Sequence, residues 1–208
     1  CVAVEADVFE RGGCEQLVSS AVDGAGQLDI LVSNPAYSER CSFLEYPPEL
    51  FEQTLRGTLL AGFHISQLTA RHMVERDGGG KIVFISSVHS DLPLARAIAY
   101  NSAKAGLNHL ARTMAVELLS HRVNVNVIAP GWIDTPGEHE RYPEEVLKKG
   151  EQKLPWGRFG KPEEIGKVVA FLCSGHADYI TGVVLPVDGG FRFRDCQSKE
   201  LPQHNDTD

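Results

Sequence analysis

Tyr100 and Lys104 stand four positions apart, and Ser87 precedes the tyrosine by thirteen. Residues at i and i+4 of a helix share a face, so the phenol and the ammonium would point the same way. Ser87 follows the apolar run Lys81-Ile82-Val83-Phe84-Ile85-Ser86, which reads as a buried strand. Open α/β sheets bind their ligands at the carboxyl ends of strands, so the three side chains can meet in one crevice. They suit one reaction. Hydride addition to a carbonyl leaves an alkoxide that needs a proton, and a positioned phenol can supply it. In the other direction a free tyrosine, with a pKa near ~10, is a reluctant base at neutral pH. The Lys104 ammonium is expected to favour the phenolate and lower that value. The Ser87 hydroxyl would hydrogen-bond the substrate oxygen as charge develops there. A tyrosine and a lysine at this spacing also occur on many ordinary helices, so the surrounding segments must decide.

Those segments alternate between strand and helix. Residues 2–7 read as a strand. Residues 11–25 read as a helix, with Cys14, Leu17, Val18, Ala21, Val22 and Ala25 on one face. Residues 28–33 form a short apolar run, like a strand buried on both sides. A long helical pattern over 48–75 closes at Gly78-Gly79-Gly80. The strand at 81–86 is followed by a helix over 97–120 and a strand over 123–129. Residues 134–156 read as a long, charged loop, and such loops often serve as lids. A helix over 162–172 and a last strand over 182–187 end at Asp188-Gly189-Gly190. This alternation predicts an α/β fold, a doubly wound parallel sheet covered on both faces. Residues 1–194 read as one domain, and 195–208 as a polar, disordered tail.

Composition narrows the function. The 208 residues suffice for one sizeable core. The formal net charge of -8 argues against a nucleic-acid partner, which usually selects a basic surface. No run approaches the ~18 apolar residues of a membrane span. The five cysteines are dispersed without metal-ligand or disulfide spacing, which suggests reduced thiols, a cytoplasmic setting and no metal site. The chain opens on Cys1, and a fragment is the expected reason.

Several ordered motifs resemble the short-chain dehydrogenase/reductase family over nearly the whole chain. Residues 29–36, Asp-Ile-Leu-Val-Ser-Asn-Pro-Ala, resemble the strand and turn that read LVNNAG there. Ile85-Ser86-Ser87 resembles the catalytic-serine strand, and Tyr100 to Lys104 the YxxSK-type helix. Residues 129–135 resemble the family's PG motif, while 157–165, 179–182 and 187–190 resemble its final helix and strand. The resemblance implies a Rossmann-like fold and an NAD(P)-dependent oxidoreductase acting on a carbonyl or secondary alcohol. Ser87, Tyr100 and Lys104 would be catalytic. Lys104 would also hold the nicotinamide ribose. Asp7 and Val8 would flank the adenine, and Asn34 and Ala36 would line the cofactor cleft. Pro130, Gly131, Ile133 and Thr135 would contact the nicotinamide side. NAD and NADP stay open. Family members pair through the helices at 50–75 and 98–119, which implies a dimer or tetramer.

The pattern departs in three places. The family's first βαβ segment, with its glycine-rich turn, is lacking, so residues 2–7 would be the third strand and 28–33 the fourth. The latter is then expected to be an open apolar edge, and the chain to fold poorly or associate. Thr58 stands where the family usually has Asn, whose amide bends the long helix and organises a proton relay near the lysine. One hydroxyl is not expected to replace both amide contacts, so slower turnover is implied. Pro35-Ala36 replaces Ala-Gly and stiffens the turn. His89, Trp132 and Tyr142 are candidate pocket residues. The alternative function is an inactive binding or assembly subunit that keeps the fold.

Overall fold

The structure, a computed structural model, describes residues 1–196. From residue 197 on, the expected polar tail lies outside the described residues. Four parallel strands form one sheet in chain order: β1 (Ile30–Ser33), β2 (Gly80–Ile85), β3 (Val123–Pro130) and β4 (Val184–Val187). Parallel neighbours need crossover connections, and helices supply them. α1 (Arg11–Ala25) precedes β1. α2 (Pro48–Leu55) and α3 (Ala61–Glu75) join β1 to β2, and α4 (Ile98–Glu117) joins β2 to β3. α5 (Pro136–Arg141), α6 (Glu144–Glu151) and α7 (Pro162–Leu172) lie between β3 and β4.

Side chains alternate across a strand, and here each face has a core. Ile82 and Phe84 of β2 share one face with Val123, Val125 and Val127 of β3. Met73 of α3 and Leu107 and Ala111 of α4 cover it. Val83 and Ile128 face the other way, under Ile165, Val168 and Leu172 of α7. Each large aliphatic or aromatic side chain buried this way contributes about 1.5–3 kcal/mol. The doubly wound α/β, Rossmann-like sheet is the one that the alternation predicts.

The structure corrects two expectations. Residues 2–7 form no strand. A strand needs a neighbour to exchange backbone hydrogen bonds with, and β1 pairs with β2 alone among the described residues. Residues 134–156 are not one loop but carry α5 and α6. Pro136 occupies the first turn of α5, a position that suits proline. Glu144 and Glu145 open α6 and Lys148 and Lys149 close it, each matching the helix dipole.

Two further features position the site. The long helix expected over 48–75 is continuous but passes through a π-turn at Arg56–Leu60. There the Ala61 N–H bonds the Arg56 carbonyl five residues back. Gly57 in that turn allows close approach: a Cβ would stand 2.5 Å from the Phe9 ring and 2.8 Å from the Tyr37 Cβ. The other feature is the free side of β1. Ile30 and Val32 are 49% and 43% exposed, which is the open apolar edge that was expected. A groove of about 220 Å³ runs beside it, lined by Leu17, Val18, Ala21, Leu28 and Val8 among others.

Candidate active site

Ser87 sits two residues past the end of β2. The ladder continues as far as Ser86, whose N–H bonds the Ile128 carbonyl at 2.7 Å. Ser87 then caps the short turn Val88–Ser90, its Oγ accepting the His89 N–H at 3.1 Å. The turn is tied to α4. Ser90 Oγ donates to the Ser87 carbonyl at 2.7 Å, and Asn108 Nδ2 donates to Ser90 Oγ at 2.8 Å. Tyr100, Lys104 and Asn108 succeed one another at i+4, so one face of α4 meets the serine turn. Lys104 is 2% exposed. Its Nζ donates to the Ile85 carbonyl at 2.7 Å and lies 5.7 Å from the centre of the Tyr100 ring. The three residues picked out by type and spacing are thus brought together. Ser90 and Asn108 were missed, although Asn108 continues the Tyr100–Lys104 spacing.

The electrostatics differ from the simple expectation. Burial raises the Tyr100 pKa above the ordinary tyrosine value. The adjacent Ser87 hydroxyl and then the charges of Arg40 and Arg141 oppose that rise. The Lys104 amine is itself desolvated, with its pKa lowered to about 8, and it is turned toward the Ile85 carbonyl. Burial also lowers the His89 pKa. His89 Nδ1 lies 3.1 Å from the Leu92 carbonyl. A carbonyl only accepts, so Nδ1 carries the proton and Nε2 is left as an acceptor.

Thr58 is fully buried at the centre of the π-turn. Its hydroxyl accepts the Tyr37 N–H at 2.9 Å and donates to the Tyr37 carbonyl at 3.1 Å. One hydroxyl therefore makes a donor and an acceptor contact, both to Tyr37, and the helix keeps its distortion without an asparagine. That hydroxyl is spent on the loop after β1 and not on Lys104. Tyr37 in turn packs edge-on against Phe9, with ring centres 5.7 Å apart.

The residues expected to hold a dinucleotide fall at the strand ends. Asn34 and Ala36 follow β1 and are exposed. Val8 lines the same groove as Ser33 and Pro35. The Asp7 carboxylate accepts the Phe9 N–H at 2.9 Å, a turn-forming role at the entry to α1. Pro130 ends β3, and the Gly131 N–H bonds the Val187 carbonyl at 3.1 Å. A Cβ on Gly131 would stand 2.8 Å from Asp188 Cα, so this approach requires glycine. Ile133 bridges to Gly160. Thr135 occupies the N-cap of α5, yet its side chain makes no cap hydrogen bond, which leaves its hydroxyl for another partner. This set of exposed strand ends, a glycine backbone and an uncommitted hydroxyl fits a nicotinamide dinucleotide.

Of the remaining candidates, His89 packs edge-on against Phe191, with ring centres 5.9 Å apart. Trp132 braces the segment above β3. It packs on Tyr142 and Phe159, and its Nε1 donates to Glu138 Oε2 at 2.6 Å. A separate cavity of about 330 Å³ is lined by Trp132, Trp156, Arg158, Glu164 and Gly190 among others, and none of Ser87, Tyr100 and Lys104 lines it.

Comparison with known proteins places the chain in a family. A family model described as enoyl-(acyl carrier protein) reductase matches residues 1–192. The chain belongs to the short-chain dehydrogenase/reductase family of NAD(P)-dependent oxidoreductases, with the choice between NAD and NADP open. It is 35% identical over 188 residues to the 3-oxoacyl-[acyl-carrier-protein] reductase MabA of Mycobacterium tuberculosis, covering 90% of this chain and 75% of that one. It is 33% identical over 201 residues to glucose 1-dehydrogenase 2 of Bacillus subtilis, covering 94% and 76%. Acetoin dehydrogenase from Enterobacter cloacae is similar in structure, with a TM-score of 0.84, 35% identity, and 96% and 77% coverage.

Proposed function

We propose that this protein transfers a hydride between NAD(P) and a small carbonyl or secondary alcohol, with Tyr100 as the proton donor and acceptor. The observation that carries this reading is the convergence of Ser87, Tyr100 and Lys104 between the end of β2 and one face of α4. The nicotinamide supplies or takes the hydride. Ser87 orients the substrate oxygen by a hydrogen bond. Tyr100 gives that oxygen its proton on reduction and takes it back on oxidation. Its raised pKa keeps it protonated at neutral pH, which suits the donor role. Lys104 would hold the nicotinamide ribose when the dinucleotide is bound. Asp7, Val8, Asn34, Ala36, Pro130, Gly131, Ile133 and Thr135 line the rest of the cofactor cleft.

The reading includes a single domain over residues 1–194, a cytoplasmic location and a homo-oligomer. Exposed Leu60, Val116 and Leu119 on or beside the pairing helices support the last of these. Among the described residues no helix is long and apolar enough to cross a membrane. An inactive binding subunit would not need the three side chains together.

The test is turnover of NADH and NADPH with acetoin, a 3-oxoacyl thioester and other small ketones, and of NAD(P)+ with glucose. Tyr100→Phe is expected to lower kcat by a factor of ~10²–10⁴, the usual worth of a general acid, while nicotinamide fluorescence still reports cofactor binding. Full turnover by Tyr100→Phe sinks the reading.

A further inference from the structure

We infer that Asn108, acting through Ser90, is a positioning residue that sets the orientation of Ser87. The inference deepens the proposed function and rests on Ser87 being the group that receives the substrate oxygen.

Asparagine is mostly an exposed residue, yet Asn108 is only 3% exposed. It stands one helical turn after Lys104, on the face of α4 that meets the serine turn. Its Oδ1 is buried and has no hydrogen-bond partner among the described residues. A buried polar atom left unpaired costs stability, and a leucine of similar volume would avoid that cost. The other end of the amide is fully employed. Nδ2 donates to Ser90 Oγ at 2.8 Å, and Ser90 Oγ donates to the Ser87 carbonyl at 2.7 Å. The direction of this chain of bonds is forced. A carbonyl only accepts, so the single Ser90 hydroxyl proton is committed to Ser87. Ser90 Oγ can then take only a donor from α4, and Asn108 must present its amino group and not its oxygen. The orphaned Oδ1 is the other side of that requirement.

The carbonyl held in this way belongs to Ser87 itself. The Ser90 N–H reaches the same oxygen at 3.1 Å, so two donors fix the peptide that follows Ser87. On the other side, the Ser86 N–H is tied to the Ile128 carbonyl at 2.7 Å, and Ser86 Oγ donates to the Lys104 carbonyl at 3.4 Å. Ser87 is thereby held in extended backbone, φ -163° and ψ 154°. Its Oγ accepts the His89 N–H at 3.1 Å. That bond occupies one lone pair, and the hydroxyl proton is left for an acceptor outside the turn, as a substrate oxygen would be. The turn after Ser87 is short, and α4 supplies the outside support that keeps its hydroxyl aimed. Asn108 delivers that support from the same helix face that carries Tyr100 and Lys104, so one rigid element sets all three reacting groups relative to one another.

The test compares Asn108→Leu, Ser90→Ala, their double variant and Ser90→Thr, which keeps the hydroxyl. Hydrogen exchange over residues 87–92, followed by mass spectrometry, needs no substrate. Either Asn108→Leu or Ser90→Ala is expected to speed exchange there by ~3–10-fold, the worth of about one buried hydrogen bond, while β3 keeps its wild-type protection. The double variant should exchange no faster than Ser90→Ala, because Asn108 reaches Ser87 only through Ser90. Ser90→Thr should stay close to wild type. In turnover, kcat should fall ~10-fold or more in both Asn108→Leu and Ser90→Ala, since misplacing a reacting group can cost ~10², with the KM for the cofactor unchanged. Wild-type exchange over 87–92 in both, losses that multiply in the double variant, or a loss confined to the cofactor KM overturns the inference. Faster exchange over 87–92 together with full turnover by Tyr100→Phe would keep Asn108 as the support of this turn and remove the oxidoreductase reading.

Discussion

Burying Lys104 should leave a signature in the pH dependence of stability. Its pKa falls from 10.5 to about 8 on folding, through loss of water around the ammonium. Between those values the unfolded chain holds a proton that the folded chain has released, so stability rises with pH across that window. Below pH 8 the folded state carries the whole penalty; above 10.5 it carries none. The difference of about 2.5 pH units corresponds to roughly 3 kcal/mol at ~1.36 kcal/mol per unit. Lys104→Met removes the titration and fills similar space, losing the bond to Ile85 at a cost of about 1 kcal/mol. Urea denaturation of both proteins from pH 7 to 11 should therefore show the variant more stable by roughly 2 kcal/mol at pH 7. That advantage should vanish and reverse as the pH passes 10. Lysine ε-carbon NMR should show one resonance titrating near 8 that is missing from the variant. Parallel stability curves, or a Lys104 resonance that titrates like an exposed lysine, would refute the reasoning.

Thr58→Val removes both bonds to the Tyr37 backbone and leaves that backbone's buried polar groups unpaired. A loss of about 1–3 kcal/mol is expected in denaturant midpoint experiments, with slower turnover as the loop after β1 loosens. The open edge of β1 should drive the isolated chain to associate, and Ile30→Lys with Val32→Lys should shift the population toward smaller species in light scattering. The Glu164 carboxyl is held down to about 2 by Arg158, whose guanidinium bonds both its oxygens, and by the Lys161 N–H. Its stabilising contribution is present above its unfolded pKa of 4.5 and is lost as pH falls toward 2. The stability gap between wild type and Glu164→Gln should therefore close over that range.

The helices were legible because apolar residues recur with the period of a helix, as at Cys14, Leu17 and Val18 of α1. Strand type was legible because β2 and β3 are short apolar runs between helices, while strand order followed only from the family resemblance. Residues 2–7 misled because a strand is a property of a pair, and an apolar segment carries no record of its neighbour. In α5 and α6 the proline and acidic starts were present, but their charged faces concealed the few residues, such as Leu147, that packing buries. At the site, residue type and spacing disclosed Ser87, Tyr100 and Lys104. The sense of the Tyr100 shift depends on how deeply α4 beds the phenol, which spacing cannot encode.

The π-turn in the long helix also works as a phase adjuster. An ordinary helix rotates about 100° per residue, and the turn at Arg56–Leu60 inserts one extra residue. The stripe of α2 that looks toward α4 is thereby uncoupled in azimuth from the stripe of α3 that covers Phe84 and Ile82. Deleting a single residue there would restore a regular helix and sweep Ala70 and Met73 about 100° away from the sheet. The connecting segments can change length at the surface with little effect, but this stretch has to keep count.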